Sequence, residues 1–178
     1  MAEQIIITAA DIQGFWDLSP NISTTKIDAG ILRAQQADLK KILGDYLYFA
    51  FIEDFNGSNW DTAIYQKLFD GESYTYNGGS IYFNGVKPLL CGYAWRRILI
   101  STKINVVEDG QVIHTIEESE HLEDFQARAN ERKVIDDSIR LEGELLQYLV
   151  TKRSTYPLFN TKDNTYQDNK TSYRFNKV

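Results

Sequence analysis

The segment ILRAQQADLKKILGDYLYFAFI, Ile31 to Ile52, constrains this chain more than any other stretch. Ile31, Gln35, Leu39, Ile42, Tyr46 and Phe49 recur at helical spacing, and Leu32, Leu43, Leu47 and Ala50 widen the stripe. Toward its end the amphipathic pattern gives way to a nearly continuous apolar run, Tyr46 to Ile52. A helix that is apolar all round has to be covered all round. The cover can come from the rest of the chain, from further copies of it, or from a partner.

The surrounding pattern predicts mainly helix. Thr8 and Asp11 read as a capping box that opens a short helix from about Ala9 to Trp16. The turn-forming stretch LSPNIST ends it. One long helix is predicted from about Asp28 to Asp54, with Gly44 inside it. There Gly44 either costs helix propensity, roughly 1 kcal/mol, or lets another helix approach closely. A short helix from about Asp61 to Phe69 is closed by Gly71. Two Tyr/Ile/Phe-rich runs around Asn77-Gly78-Gly79 read as a hairpin. Pro88 suits the first turn of a helix reaching about Ser101. Asp109-Gly110, between Val106-Val107 and Val112-Ile113, marks a second hairpin. The last helix should span Ser119 to Lys152, with Phe125, Ala129, Ile135, Ile139, Leu145, Leu146 and Leu149 on its buried face. At 1.5 Å per residue that is on the order of 50 Å, longer than a compact domain of this size, so one end should project.

STYPLF stops the last helix, and the stretch from Asn160 to Val178 is polar and cannot build a core alone. Tyr166, Tyr173 and Phe175 are spaced along it like anchors. It reads either as a frayed terminus or as an arm that orders on a partner. The fold class is therefore mainly α: a small helical bundle over residues 1–159, with one or two short β-hairpins and an extended C-terminal arm over 160–178.

Composition excludes several functions. The formal net charge of −6 gains little from neutralising phosphates, which disfavours a dedicated nucleic-acid binder. Cys91, the single cysteine, can form neither an intrachain disulfide nor a cysteine metal cage, and PLLCGYAW makes it a small core residue. The N-terminal MAEQIIITAADI lacks the charged and apolar regions of a secretory signal, and no apolar run of about 18 residues exists to span a membrane. Without such a signal the NIS, NGS and NKT triplets carry no weight as glycosylation acceptors.

The chemistry-bearing residues are sparse. His114 and His121 are seven residues apart across a predicted boundary, not one helical turn apart as a helical metal pair requires. No phosphate-binding Gly-Lys-Ser/Thr loop, nucleophile elbow or Cys/His pairing occurs. The acidic EESEHLED run reads as a solvated face. Arg96 and Arg97 after Trp95 suggest a salt bridge or cation–π packing. No catalytic residue, metal ligand or cofactor is assigned, and the protein is not expected to be an enzyme.

The order of elements resembles the head–tail connector, or adaptor, proteins of tailed bacteriophages. The resemblance is carried by Ile31, Ala34, Gln35, Leu39, Ile42, Leu43, Gly44, Leu47 and Tyr48, by the helix from Gly85 to Leu99, and by Tyr156, Pro157 and Phe159. It runs over roughly residues 5 to 160, and its motifs share pattern more than identity. The chain is also similar to the first ring proteins below the portal of crAss-like phages. The resemblance implies a helical bundle whose copies form a ring, commonly of about twelve, at the neck of the virion after assembly in the host cytoplasm. The ring would bind the portal protein on one side and the next tail or ring protein on the other. Genomic DNA would pass through without sequence-specific binding. Tyr166, Tyr173, Arg174 and Phe175 would then dock the arm on the portal, and Gly44, Tyr48 and Phe51 would pack subunits together. The alternatives are a scaffold or regulatory module that forms no closed ring, or a metal-binding enzyme built on the acidic run.

Overall fold

The computed structural model describes residues 4–18, 21–107, 110–113 and 120–159, and side chains outside 102–127. Eleven regular elements and one π-helical segment follow in order. Helix α1 is Ala9–Gln13 and α2 is Thr24–Arg33; the π-helical segment Ala34–Leu39 leads into α3, Lys40–Leu43. Helix α4 is Asp45–Glu53 and α5 is Ala63–Asp70. Strands β1, Glu72–Tyr76, and β2, Gly79–Phe83, precede α6, Val86–Lys103. Strands β3, Ile104–Val107, and β4, Gly110–Ile113, lead to α7, Glu120–Thr151. The chain is a small, mainly helical bundle with short antiparallel hairpins.

The centre is α6. Leu89 through Ala94 are six consecutive buried residues, so this part of the helix is enclosed on all sides. It packs against α1, α2, the π-helical segment, α5 and α7. Small residues set those contacts. A Cβ on Gly30 of α2 would lie 2.4 Å from Ile98 Cγ1 of α6, and one on Gly92 of α6 would lie 3.0 Å from Ser138 Oγ of α7. The close helix approach foreseen for Gly44 is thus made at Gly30 and Gly92.

The expected long helix is broken instead. Gly44 has φ 76° and ψ 159°, a conformation open essentially to glycine alone. Its N–H donates to the Lys40 carbonyl at 2.9 Å, and its carbonyl accepts from the Tyr48 N–H at 3.0 Å. One residue therefore ends α3 and begins α4. The helical path also starts earlier than its apolar stripe, at Thr24, because Ser23 is extended and its carbonyl accepts from Lys26 and Ile27.

The wider turn at Ala34–Leu39 holds Gln35, which is fully buried. Its Oε1 accepts from the Ile6 N–H at 3.1 Å, and its Nε2 donates to the Gln4 carbonyl at 2.9 Å. A side-chain amide thereby satisfies the backbone of the N-terminal segment as a neighbouring strand would, and Ile6 and Ile7 enter the core. Asp38 of the same segment takes both Nε and Nη2 of Arg97 on α6, at 3.0 and 2.7 Å. The salt bridge expected of the Arg96–Arg97 pair is thus made by Arg97, while Arg96 is exposed.

The Thr8–Asp11 capping box is formed, with the Thr8 N–H donating to Asp11 Oδ2 at 2.7 Å. The first hairpin turns through Asn77 and Gly78, both at positive φ (50° and 80°), which matches the strand twist. Its base is a glycine crossing. A Cβ on Gly71 would lie 2.1 Å from the Phe83 carbonyl oxygen, and one on Gly85 would lie 2.2 Å from that of Phe69. In the second hairpin Val107 pairs with Gly110, so Gly110 is the first residue of β4 rather than part of the turn. Ser119, the expected cap of α7, lies outside the described residues.

The break at Gly44 has a measurable signature. Gly44→Ala is expected to destabilise the chain by about 1–3 kcal/mol in urea melts, because alanine is strained at this φ and ψ. A continuous helix through this position would instead gain about 1 kcal/mol from the substitution, so the sign of the change separates the two arrangements.

Candidate functional site

Helix α7 carries two apolar stripes. Val134, Ser138, Leu141, Leu145, Tyr148 and Leu149 are buried against the bundle. Ile135, Ile139, Gly143, Leu146 and Val150 form a second row, centred about 120° around the helix at ~100° per residue. Ile139 is 59% and Val150 52% exposed, and a Cβ on Gly143 would meet nothing within 4 Å. Ile135 and Leu146 border this row half-buried, and Leu146 packs against the core. Ile139 and Ala129, expected in the core, therefore face solvent. Both stripes repeat at helical spacing, and sequence alone does not separate them. Arg128, Ala129 and Asn130 are all exposed, and the first buried residue with a described side chain is Val134, in line with a helix that outruns the bundle.

Helix α4 divides in the same way. Leu47, Tyr48, Phe51 and Ile52 are buried. Phe51 stacks on Trp60, with ring centroids 5.0 Å apart, and the Trp60 indole N–H donates to the Phe51 carbonyl at 2.9 Å. Trp60 also packs against Phe55 and Phe69. The segment after α4 thus folds back as its cover. Tyr46 and Phe49, three residues apart on the opposite side, are 71% and 48% exposed. Lys40 lies 4.6 Å from the Phe49 ring centroid and pairs with Asp45 at 3.4 Å.

Tyr48 and Phe51, read as subunit contacts, are therefore covered by this chain itself, and Gly44 is the hinge between two helices. The solvent-facing residues of that stretch are Tyr46 and Phe49. Tyr166, Tyr173, Arg174 and Phe175 lie outside the described residues, as do the side chains of His114, His121 and the acidic run.

The C-terminal end of α7 is closed by a polar network inside an aromatic cluster. Tyr148 stacks on Phe83 with centroids 4.1 Å apart and meets Tyr74 edge-on at 5.1 Å. Its hydroxyl donates to Glu72 Oε1 at 2.8 Å. Lys67 and Lys152 pair with the same carboxylate at 3.1 and 3.5 Å. Tyr156, in the stop after α7, places its hydroxyl 3.1 Å from that of Tyr148 and 3.0 Å from the Ile64 carbonyl. Burial works to raise the Glu72 carboxyl, but the Tyr148 hydroxyl and the two ammonium groups outweigh it and hold it below the ordinary value. Burial pushes the Tyr156 phenol up to about 12. Tyr148 moves in the same direction for the same reason, reinforced by its partners Tyr156 and Glu72. These groups form a structural joint between the hairpin, α5 and the end of α7.

A groove of about 410 Å³ runs beside Phe15, Trp16, Pro88 and Leu141. Two of its polar groups, Arg140 and Asn84, meet the neighbouring Glu144: Arg140 pairs with it at 2.5 Å, and Asn84 donates to it at 2.8 Å. The Trp16 indole N–H is buried without a hydrogen-bond partner. Among the described residues no group of His, Cys, Asp or Glu could hold a metal ion, and no described helix is long and apolar enough to cross a membrane. Cys91 is buried, and that burial pushes its thiol up to about 12, so it is an inert core residue. The features with most capacity for function are thus the two exposed apolar faces.

The family described as "Family of unknown function (DUF6712)" matches residues 39–169, well over half of the chain, and the protein belongs to it. The matched span takes in α3 through α7, includes Tyr156, Pro157 and Phe159, and continues past them. No curated protein and no solved structure matches the chain.

Because Glu72 is held below its unfolded value, near 4.5, its contribution to stability is complete above that pH and is lost as the pH falls through the folded value. Glu72→Gln should therefore lower stability at neutral pH and flatten the acid limb. Urea melts between neutral pH and about pH 3 check this.

Proposed function

We propose that the protein is a structural ring subunit of a tailed bacteriophage, an adaptor between the portal and the tail that extends the DNA channel. The observation that carries the reading is the pair of exposed apolar faces on α4 and α7. Rings above two copies are held by heterologous contacts, in which one face of a subunit meets a different face of the next. A chain that shows two unlike apolar faces, on separate helices, has what such a contact needs. Contiguous exposed apolar surface marks an interaction site where scattered single residues do not. The helical bundle is of the kind the connector resemblance implies, and the family match spans most of the residues that carry that resemblance. A net charge of −6 suits a channel wall past which DNA slides without sticking.

In this reading the partners are the portal protein, further copies of the chain in a ring of about twelve, and the next tail or ring protein. The location is the neck of the virion. Tyr166, Tyr173, Arg174 and Phe175 would anchor the C-terminal arm on the portal.

Light scattering on the purified protein, alone and mixed with portal, tests the ring. Expected is a closed oligomer, either on its own or on the portal; a chain that stays monomeric and never co-sediments with portal overturns the reading. Removal of Asn160 to Val178 is expected to leave the helical circular dichroism and melting temperature unchanged while abolishing portal binding. Unchanged affinity after that truncation would rule out the docking arm.

A further inference from the structure

We infer that Asn77, at the tip of the first hairpin, is a site of covalent self-modification. The backbone nitrogen of Gly78 attacks its side-chain amide, and water opens the resulting ring to leave aspartate or isoaspartate. The inference stands apart from the ring reading.

The chain contains three Asn–Gly pairs: Asn56–Gly57, Asn77–Gly78 and Asn84–Gly85. Locally their chemistry is the same, because in each the following residue has no side chain to shield its nitrogen. The fold makes them unequal. Ring closure needs a side chain free to rotate and a backbone free to swing the next nitrogen toward it. Asn56 is pinned: its Nδ2 donates to Asp61 Oδ1 at 2.7 Å, and its Oδ1 accepts from the Ser58 and Asn59 N–H groups at 3.2 and 3.0 Å. Asn84 Nδ2 donates to Glu144 Oε2 at 2.8 Å. Gly85 is buried in the glycine crossing, where a Cβ would lie 2.2 Å from the Phe69 carbonyl oxygen, so the backbone there has no room to swing.

Asn77 has neither restraint. It is exposed, as are Tyr76, Gly78 and Gly79, and among the described residues no hydrogen bond holds its side chain. A Cβ on Gly78 would meet nothing within 4 Å. Attack requires the positive-φ turn to open first, and a hairpin tip without a buried side chain opens locally at little cost.

The step balances without an oxidant. A bond forms between the Gly78 nitrogen and Asn77 Cγ, and the Cγ–Nδ2 bond breaks. Ammonia leaves with the Gly78 amide proton. Water then adds to one of the two ring carbonyls and breaks its bond to nitrogen. Opening at Cγ gives aspartate; opening at the main-chain carbonyl gives isoaspartate, which adds one carbon to the backbone path. Aspartate is tolerated at positive φ. Isoaspartate lengthens a two-residue turn whose flanks, Tyr76 and Gly79, are paired. The same hairpin holds Tyr74 and Phe83 against Tyr148, so the lesion loosens the joint at the end of α7.

Incubation of the folded chain at mildly alkaline pH in heavy-oxygen water, followed by peptide mass mapping, tests the site. The Asn77 peptide is expected to exchange ammonia for one heavy oxygen. Conversion at Asn56 and Asn84 should be at least about tenfold slower, because each must first break a hydrogen bond to a carboxylate. In guanidinium the three sites should convert at comparable rates. The melting temperature of the wild-type chain should fall as isoaspartate accumulates. That of Asn77→Gln, whose longer side chain closes a ring far more slowly, should hold. Conversion of Asn56 or Asn84 as fast as Asn77 in the folded chain overturns the inference, as does an absence of conversion at Asn77. An equal lead for Asn77 in guanidinium also overturns it, since the fold would then not be what selects the site.

Discussion

Enclosure of α6 is the constraint from which the rest of the bundle follows. Leu89 to Ala94 have no solvent-facing member, so every side of that helix needs a neighbour. Close approach is possible because glycines stand where backbones or side chains would collide: Gly30 beneath Ile98, and Gly92 beneath Ser138. Side chains at these points would overpack a core that tolerates little extra volume. Once α2 and α7 are placed against α6, the remaining elements fill what is left. Gln35 fastens the N-terminal segment, Arg97 ties α6 to Asp38, and Trp60 closes the inner side of α4.

The same constraint explains why apolar residues are left outside. With α6 enclosed, α7 presents only one of its two stripes to the bundle, and α4 only one of its sides. The buried polar joint of Tyr148, Glu72 and Tyr156 fixes the C-terminal end of α7 firmly against the hairpin. The outer stripe is therefore displayed on a supported helix. Rigid presentation lowers the entropic cost of association, which suits a subunit that must meet identical neighbours repeatedly.

Much of the fold was legible along the chain. The Thr8–Asp11 box, the Asn77–Gly78 turn and the Gly71 helix end are local devices whose energetics depend on neighbouring residues only. The helical period of α7 was equally plain, and Pro88 marked the first turn of α6. The candidate site was less so. Tyr48 and Phe51 looked like contacts for another copy because the run from Tyr46 to Ile52 is apolar on every side, yet both are buried within their own chain, and Trp60 arrives from the following segment to cover Phe51. In α7, Ile139 and Leu145 belong to different stripes that share one periodicity, and the expected buried face mixed the two. The helical glycine at 143 sits in the middle of the outer stripe.

By itself, then, the sequence determined the mainly helical class, most helix boundaries, the first hairpin and the absence of recognisable catalytic motifs, since each depends on short-range spacing and side-chain chemistry. Only the tertiary structure decided which helix is central, which of two stripes on α7 is buried, and whether Gly44 continues a helix or breaks it. Those outcomes depend on which distant segments compete for the same apolar surface, and on a backbone conformation at Gly44 that glycine permits without requiring it.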